Sequence, residues 1–205
     1  MTKIENQKGY TIVELLAVIA ILVVISGIIV AILYSTLRGS NKTKITSEVT
    51  QNGSYVLSVF NKTLNDSRSV TMIGALNVGD IINTNDVQDC KTKPTSNTSI
   101  TLKRLDGKLT RFACENIDVD GTPVSAITIN NDPLTEIVGK PLINTRAVQV
   151  EPNSCSFSCD QSSGDLYAYP IVGVSFKIKD KNSVVAESQS SQVFQTSVSL
   201  NNYLP

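Results

Sequence analysis

The chain has 205 residues, 18 basic and 18 acidic side chains and no histidine, enough for one ordinary domain plus an anchor. The missing histidine excludes Ser-His-Asp and Cys-His catalysis and His-ligated metal centres, and no Gly-rich phosphate loop or dinucleotide fingerprint occurs. Zero net charge gives no indication of a nucleic-acid partner.

The first element is a short leader carrying Lys3 and Lys8, followed by Gly9-Tyr10-Thr11-Ile12-Val13-Glu14. Leu15 to Tyr34 then carries no charge and is broken only mildly, by Ser26 and Gly27. As a helix this run is ~30 Å long, the thickness of a bilayer's hydrocarbon. It exceeds the ~7–15 apolar residues of a secretory signal peptide. Leu33-Tyr34-Ser35-Thr36-Leu37 also gives no small-x-small cleavage site after it. A plain signal anchor with its basic end in the cytoplasm accounts for the leader and the hydrophobicity. It does not account for Gly9, Tyr10 and Glu14 at those offsets: an ionised carboxylate in the bilayer interior disfavours insertion by ~2–3 kcal/mol or more, and one at the very edge of a membrane-length run is still costly.

In these residues the segment resembles the processing site and first helix of a type IV prepilin or pseudopilin. Tyr10 stands where Phe is commoner in that family and Ile12 where Leu is commoner. The Pro that many major pilins carry about two-thirds along the helix is missing. The resemblance implies that a membrane prepilin peptidase cuts after Gly9 and methylates the new amine of Tyr10. It implies that Glu14 then meets the N-terminal amine of a neighbouring subunit as helices pack into a filament. The implied partners are the peptidase, other pilins or pseudopilins and, indirectly, an inner-membrane platform protein and a cytoplasmic assembly ATPase. The expected location is the inner membrane with the head extracytoplasmic, then a type IV pilus, a type II secretion pseudopilus or a DNA-uptake filament. No enzymatic activity, cofactor or metal is implied. A different class, a single-pass anchored binding protein that displays its head, is the alternative.

Beyond the span, Ile45, Val49, Val56, Val59 or Phe60, and Leu64 recur at helical spacing. Asn52 and Gly53 interrupt this stripe, and the helix is expected to end near Asn65-Asp66-Ser67. The predicted organisation is a leader over 1–9, a transmembrane and assembly helix over 10–34, an amphipathic continuation over 35–67 and a β-rich head over 68–205. In the head, Thr98–Leu105 and Lys108–Cys114 flank Asp106-Gly107, read as a two-residue hairpin turn with positive φ at both positions. Asp120-Gly121 marks a second turn. Val172, Val174, Phe176 and Ile178 alternate with small or polar residues, as do Phe194, Thr196, Val198 and Leu200, and each run reads as a half-buried strand. The stretch from Asp118 to Pro170, with Pro123, Pro133, Pro141 and Pro152 inside it, is expected to hold irregular excursions. A helix followed by antiparallel strands gives an α+β, pilin-like fold. The ending Phe194 to Asn202 resembles the last strand of J-type minor pseudopilins, with Asn201 in place of Arg, which favours a minor subunit.

Asn116 to Gly121 imitates the start of a calcium loop, but Ile127 stands where a bidentate Glu belongs, so the cage is incomplete. Cys90, Cys114, Cys155 and Cys159 all follow the span, the usage expected of disulfides in an oxidising compartment. Their spacing is poor for a zinc ribbon. Of three possible pairings, Cys90–Cys114 and Cys155–Cys159 are expected. Cys114 ends a hairpin strand with Cys90 shortly before it, and loop-forming residues surround the second pair. That second bond requires a turn. Extended chain would set those Cα atoms ~13 Å apart, against the ~4.4–6.8 Å a disulfide spans.

Overall fold

A computed structural model describes residues 11–74, 90, 95–133, 139–161, 169–181 and 190–200. The chain divides into two compact units, Met1–Lys44 and Ile45–Pro205. One helix, α1 (Ile12–Asn65), contributes its first part to one unit and its last part to the other.

In the first unit the apolar side chains from Ile12 to Leu37 are all exposed, an arrangement that suits lipid rather than water. Among the described residues α1 is the one helix long and apolar enough to cross a membrane. Three of its hydroxyls turn back on their own backbone: Ser26 donates to Leu22 O at 2.7 Å, Thr36 to Ile32 O at 2.9 Å and Thr43 to Gly39 O at 3.0 Å. Each of these three is thus satisfied inside the helix, as a hydrocarbon setting requires.

The second unit is the head. Val49, Gly53, Val56, Phe60 and Leu64 form the buried stripe of α1, and Ser67 Oγ closes the helix end by donating to Thr63 O at 2.6 Å. The gap in the stripe has a use. A Cβ on Gly53 would come within 2.3 Å of three ring atoms of Phe194, so the bare backbone is the seat of that aromatic. Beside it Asn52 accepts from Asn144 N at 2.7 Å and donates to Glu48 O at 2.8 Å, clipping the helix to a distant loop.

Two antiparallel sheets complete the head. The first runs β1 (Ser67–Ile73), β3 (Ser99–Arg104), β4 (Leu109–Val119), β5 (Thr122–Asn130) and β6 (Lys140–Pro141) in spatial order. The second runs β10 (Ser191–Ser199), β9 (Ile171–Asp180), β8 (Ser156–Asp160) and β2 (Thr95–Asn97), with β7 (Val148–Val150) also pairing β9. Only Thr98 separates β2 from β3, so the chain steps from one sheet to the other there. Phe60 of α1 meets Phe112 of β4 edge-on at 5.2 Å and Phe157 of β8 at 5.9 Å. The helix and both sheets therefore share one aromatic core, the arrangement of an α+β pilin-like fold.

Three expectations need correction. Asp118 to Pro170 is regular at its start, where β5, a nine-residue strand, pairs with β4 along its whole length; the short strands β6, β7 and β8 then alternate with turns, as expected, and 134–138 and 162–168 lie outside the described residues. Pro123 stands at the start of β5, next to the turn, where a missing N–H costs least. Secondly, the two-residue turn with positive φ at both positions is Asp120-Gly121 (54° and 79°), joining Val119 to Thr122. At Asp106-Gly107 only Gly107 has positive φ, at 83°. Arg104 N bonds Lys108 O at 2.8 Å and Gly107 N bonds Arg104 O at 3.0 Å, a longer loop closed by a glycine bulge. Thirdly, the disulfides pair differently, as described next.

Candidate functional site

Two features carry chemistry: the start of α1 and the crosslinked face of the head. At the helix start, Thr11 Oγ1 accepts from Glu14 N at 3.3 Å and Thr11 O accepts from Leu15 N at 3.2 Å. Thr11 is therefore the N-cap and Glu14 the acidic residue of the first turn, where the helix dipole favours negative charge. The Thr-x-x-Glu spacing is a capping-box signature, and a sequence reading confined to Gly9, Tyr10 and Glu14 passes over Thr11. Gly9 and Tyr10 lie outside the described residues.

In the head, Cys90 bonds Cys159 and Cys114 bonds Cys155, which overturns the expected pairing of Cys90 with Cys114 and of Cys155 with Cys159. The reason is the conformation of β8. Cys159 lies within this strand, paired across from Thr95, and Cys155 immediately precedes it. The two sulfurs are held apart along an extended segment, where direct bonding is out of reach. Cys155 turns instead to β4, tying the second sheet to the first, while Cys159 holds the segment that leads into β2. One bond is nested inside the other. Among the described residues there is no free cysteine.

The inner bond borders a surface pocket of about 210 Å³, lined by Thr98, Asn116, Ser125, Asn153 and the two half-buried cysteines, with Glu115 and Glu151 also lining it. Glu115 accepts from Thr128 Oγ1 and from Gly139 N (3.1 Å), and lies 3.8 Å from Arg111. Glu151 meets Lys177 Nζ at 2.7 Å, and this hydrogen bond holds its carboxyl below the ordinary glutamate value. Pro152 and Asn153 (φ 59°) turn the chain before Cys155, with Ser154 N bonding Glu151 O. A shallow depression of about 370 Å³ on the outer face of the second sheet is lined by uncharged side chains, among them Ser156, Ser158, Ser175 and Gln195. The calcium-like stretch is a hairpin: Asp118 Oδ1 accepts from Gly121 N at 2.7 Å, so one of its ligand candidates serves the turn. No group of three His, Cys, Asp or Glu residues able to hold a metal occurs among the described residues.

The family model for the prokaryotic N-terminal methylation motif matches residues 5–34. The chain carries the N-terminal signature of the type IV prepilins and pseudopilins. The match takes in Gly9, Tyr10, Thr11 and Glu14 and ends with the uncharged run at Tyr34. No curated protein and no solved structure matches the chain. The motif and the apolar start of α1 fit a membrane anchor, and the head beyond it is understood from its own packing.

Proposed function

We propose that the chain is a minor pilin or pseudopilin, a structural subunit rather than an enzyme. It is cut after Gly9, methylated on Tyr10 and drawn from the membrane into a filament. The observation that carries this reading is the methylation motif over residues 5–34, whose part from Ile12 onward forms the exposed apolar start of α1. Glu14 is the assembly residue: a lone carboxylate beside lipid is costly, and pairing with a neighbour's N-terminal ammonium in a dry helix bundle recovers much of that cost. The partners are a prepilin peptidase and other pilins or pseudopilins, with the platform protein and assembly ATPase acting indirectly. The ending Phe194 to Leu200, whose first and last residues are buried in the head core, supports the minor-subunit assignment by its resemblance to J-type pseudopilins. Filaments of the pilus, secretion and DNA-uptake systems all use this chemistry. Co-expression with a prepilin peptidase tests the reading by intact mass. The expected product starts at methylated Tyr10, and Gly9→Val retains the leader; an uncut wild-type chain beside a competent peptidase overturns it.

A further inference from the structure

The nested disulfides set a problem for a chain exported behind an N-terminal anchor. Cys90 and Cys114 both precede Cys155, which follows Cys114 by 41 residues. Oxidation in order of emergence therefore joins Cys90 to Cys114, a bond the folded head does not contain. That bond blocks both native ones, since each needs one of its two sulfurs.

The two native bonds also differ in access. Cys90 and Cys159 are 6% and 0% exposed, whereas Cys114 and Cys155 are half-buried and open onto the 210 Å³ pocket. An attacking thiolate must reach a disulfide sulfur, and the folded head grants this at the inner bond alone.

We propose that Cys114–Cys155 is a thiol–disulfide exchange site served by a dithiol protein disulfide isomerase, through which the head passes from consecutive to nested pairing. This rests on the head reaching an oxidising compartment, as the proposed function requires. The isomerase thiolate attacks Cys114 Sγ in the Cys90–Cys114 bond, and the electron pair of the broken bond leaves on Cys90 as thiolate. Cys155 thiolate then attacks Cys114 Sγ in the mixed disulfide, forming the native bond and returning the isomerase thiolate, with no net oxidation. The Cys90 and Cys159 thiols next lose two electrons and two protons to a disulfide-bearing oxidase protein, which becomes the dithiol.

The test expresses the full chain in a bacterial host with or without its periplasmic dithiol isomerase, alkylates the exported protein and maps its peptides without reduction. With the isomerase the nested pairs dominate. Without it the Cys90–Cys114 peptide rises at least several-fold. The double variant Cys114→Ser/Cys155→Ser, which has no wrong partner to choose, forms Cys90–Cys159 equally in both hosts. Native pairing of the wild type at equal yield in both hosts overturns the proposal. If wild type is degraded without isomerase, loss confined to wild type supports it, and equal loss of the double variant overturns it. Four free thiols on exported protein in both hosts would instead sink the compartment reading, a separate failure. On the purified folded chain in detergent, graded reductant labels Cys114 and Cys155 first; simultaneous labelling of all four overturns the exchange-site assignment.

Discussion

Gly53 acts through the side chain it lacks. Its place on the buried stripe of α1 admits the Phe194 ring, which also stacks on Phe176 at 5.5 Å. Gly53→Ala improves helix propensity by ~1 kcal/mol, yet overpacking here costs about 1–3 kcal/mol. The expected outcome is a net loss of stability, read as a lower denaturation midpoint of the detergent-solubilised chain. Glu14 lies at the other end of the same helix. Glu14→Ala is expected to insert and to be cleaved, and then to fail in joining filaments, measured by its recovery in sheared filaments from cells. Thr11→Ala separates capping from charge: it removes the N-cap and about 1 kcal/mol of local helix stability while leaving the Glu14 carboxylate for its proposed role. At Glu151 the bond from Lys177 lowers the folded pKa. Its stabilisation is therefore present above the unfolded glutamate value and is lost as pH falls through the folded value. Acid titration of stability should show this drop in wild type and a smaller one in Lys177→Met; the effect is small because the pair is exposed.

At the scale of elements, α1 was legible because its signals are periodic and local. Val49, Val56, Phe60 and Leu64 recur at helical spacing, and the end at Asn65 agrees with the Asn-Asp-Ser stop. β9 and β10 were legible because each shows one face to the core: Val172, Val174, Phe176 and Ile178 are buried and alternate with small or polar partners. β5 was not legible for the opposite reason. Val124, Ala126, Ile127 and Thr128 are all buried, so both faces are covered and the alternation disappears, while Pro123 suggests a break. The clip between Asn52 and Asn144 joins residues 92 positions apart and has no local signature at all. Asn52→Ala is expected to lower stability by about 1 kcal/mol and to speed amide exchange at Asn144, measured by hydrogen exchange.

Over the whole molecule, one short motif in the anchor is specific, whereas the head's organisation is distributed among long-range pairings. The cysteines show why. Local spacing favours neighbours, but the neighbours Cys155 and Cys159 lie along one extended segment, and only the assembled sheets bring Cys114 and Cys90 to them. Removing the inner bond with Cys114→Ser/Cys155→Ser is expected to lower head stability by about 3–4 kcal/mol on loop-closure grounds, measured by denaturant titration. The nesting also has a mechanical consequence. Tension applied between the two ends of the head passes through the Cys90–Cys159 bond. The 69-residue span that this bond closes amounts to roughly 240 Å of extended chain at ~3.5 Å per residue. That length cannot be drawn out while the sulfurs are joined, and the five-stranded sheet's inner strands β3, β4 and β5 lie within it. A head pulled from its two ends would therefore release only its flanks, α1 with β1 on one side and β9 with β10 on the other, and would keep a covalently bounded block of structure at any load the bond survives.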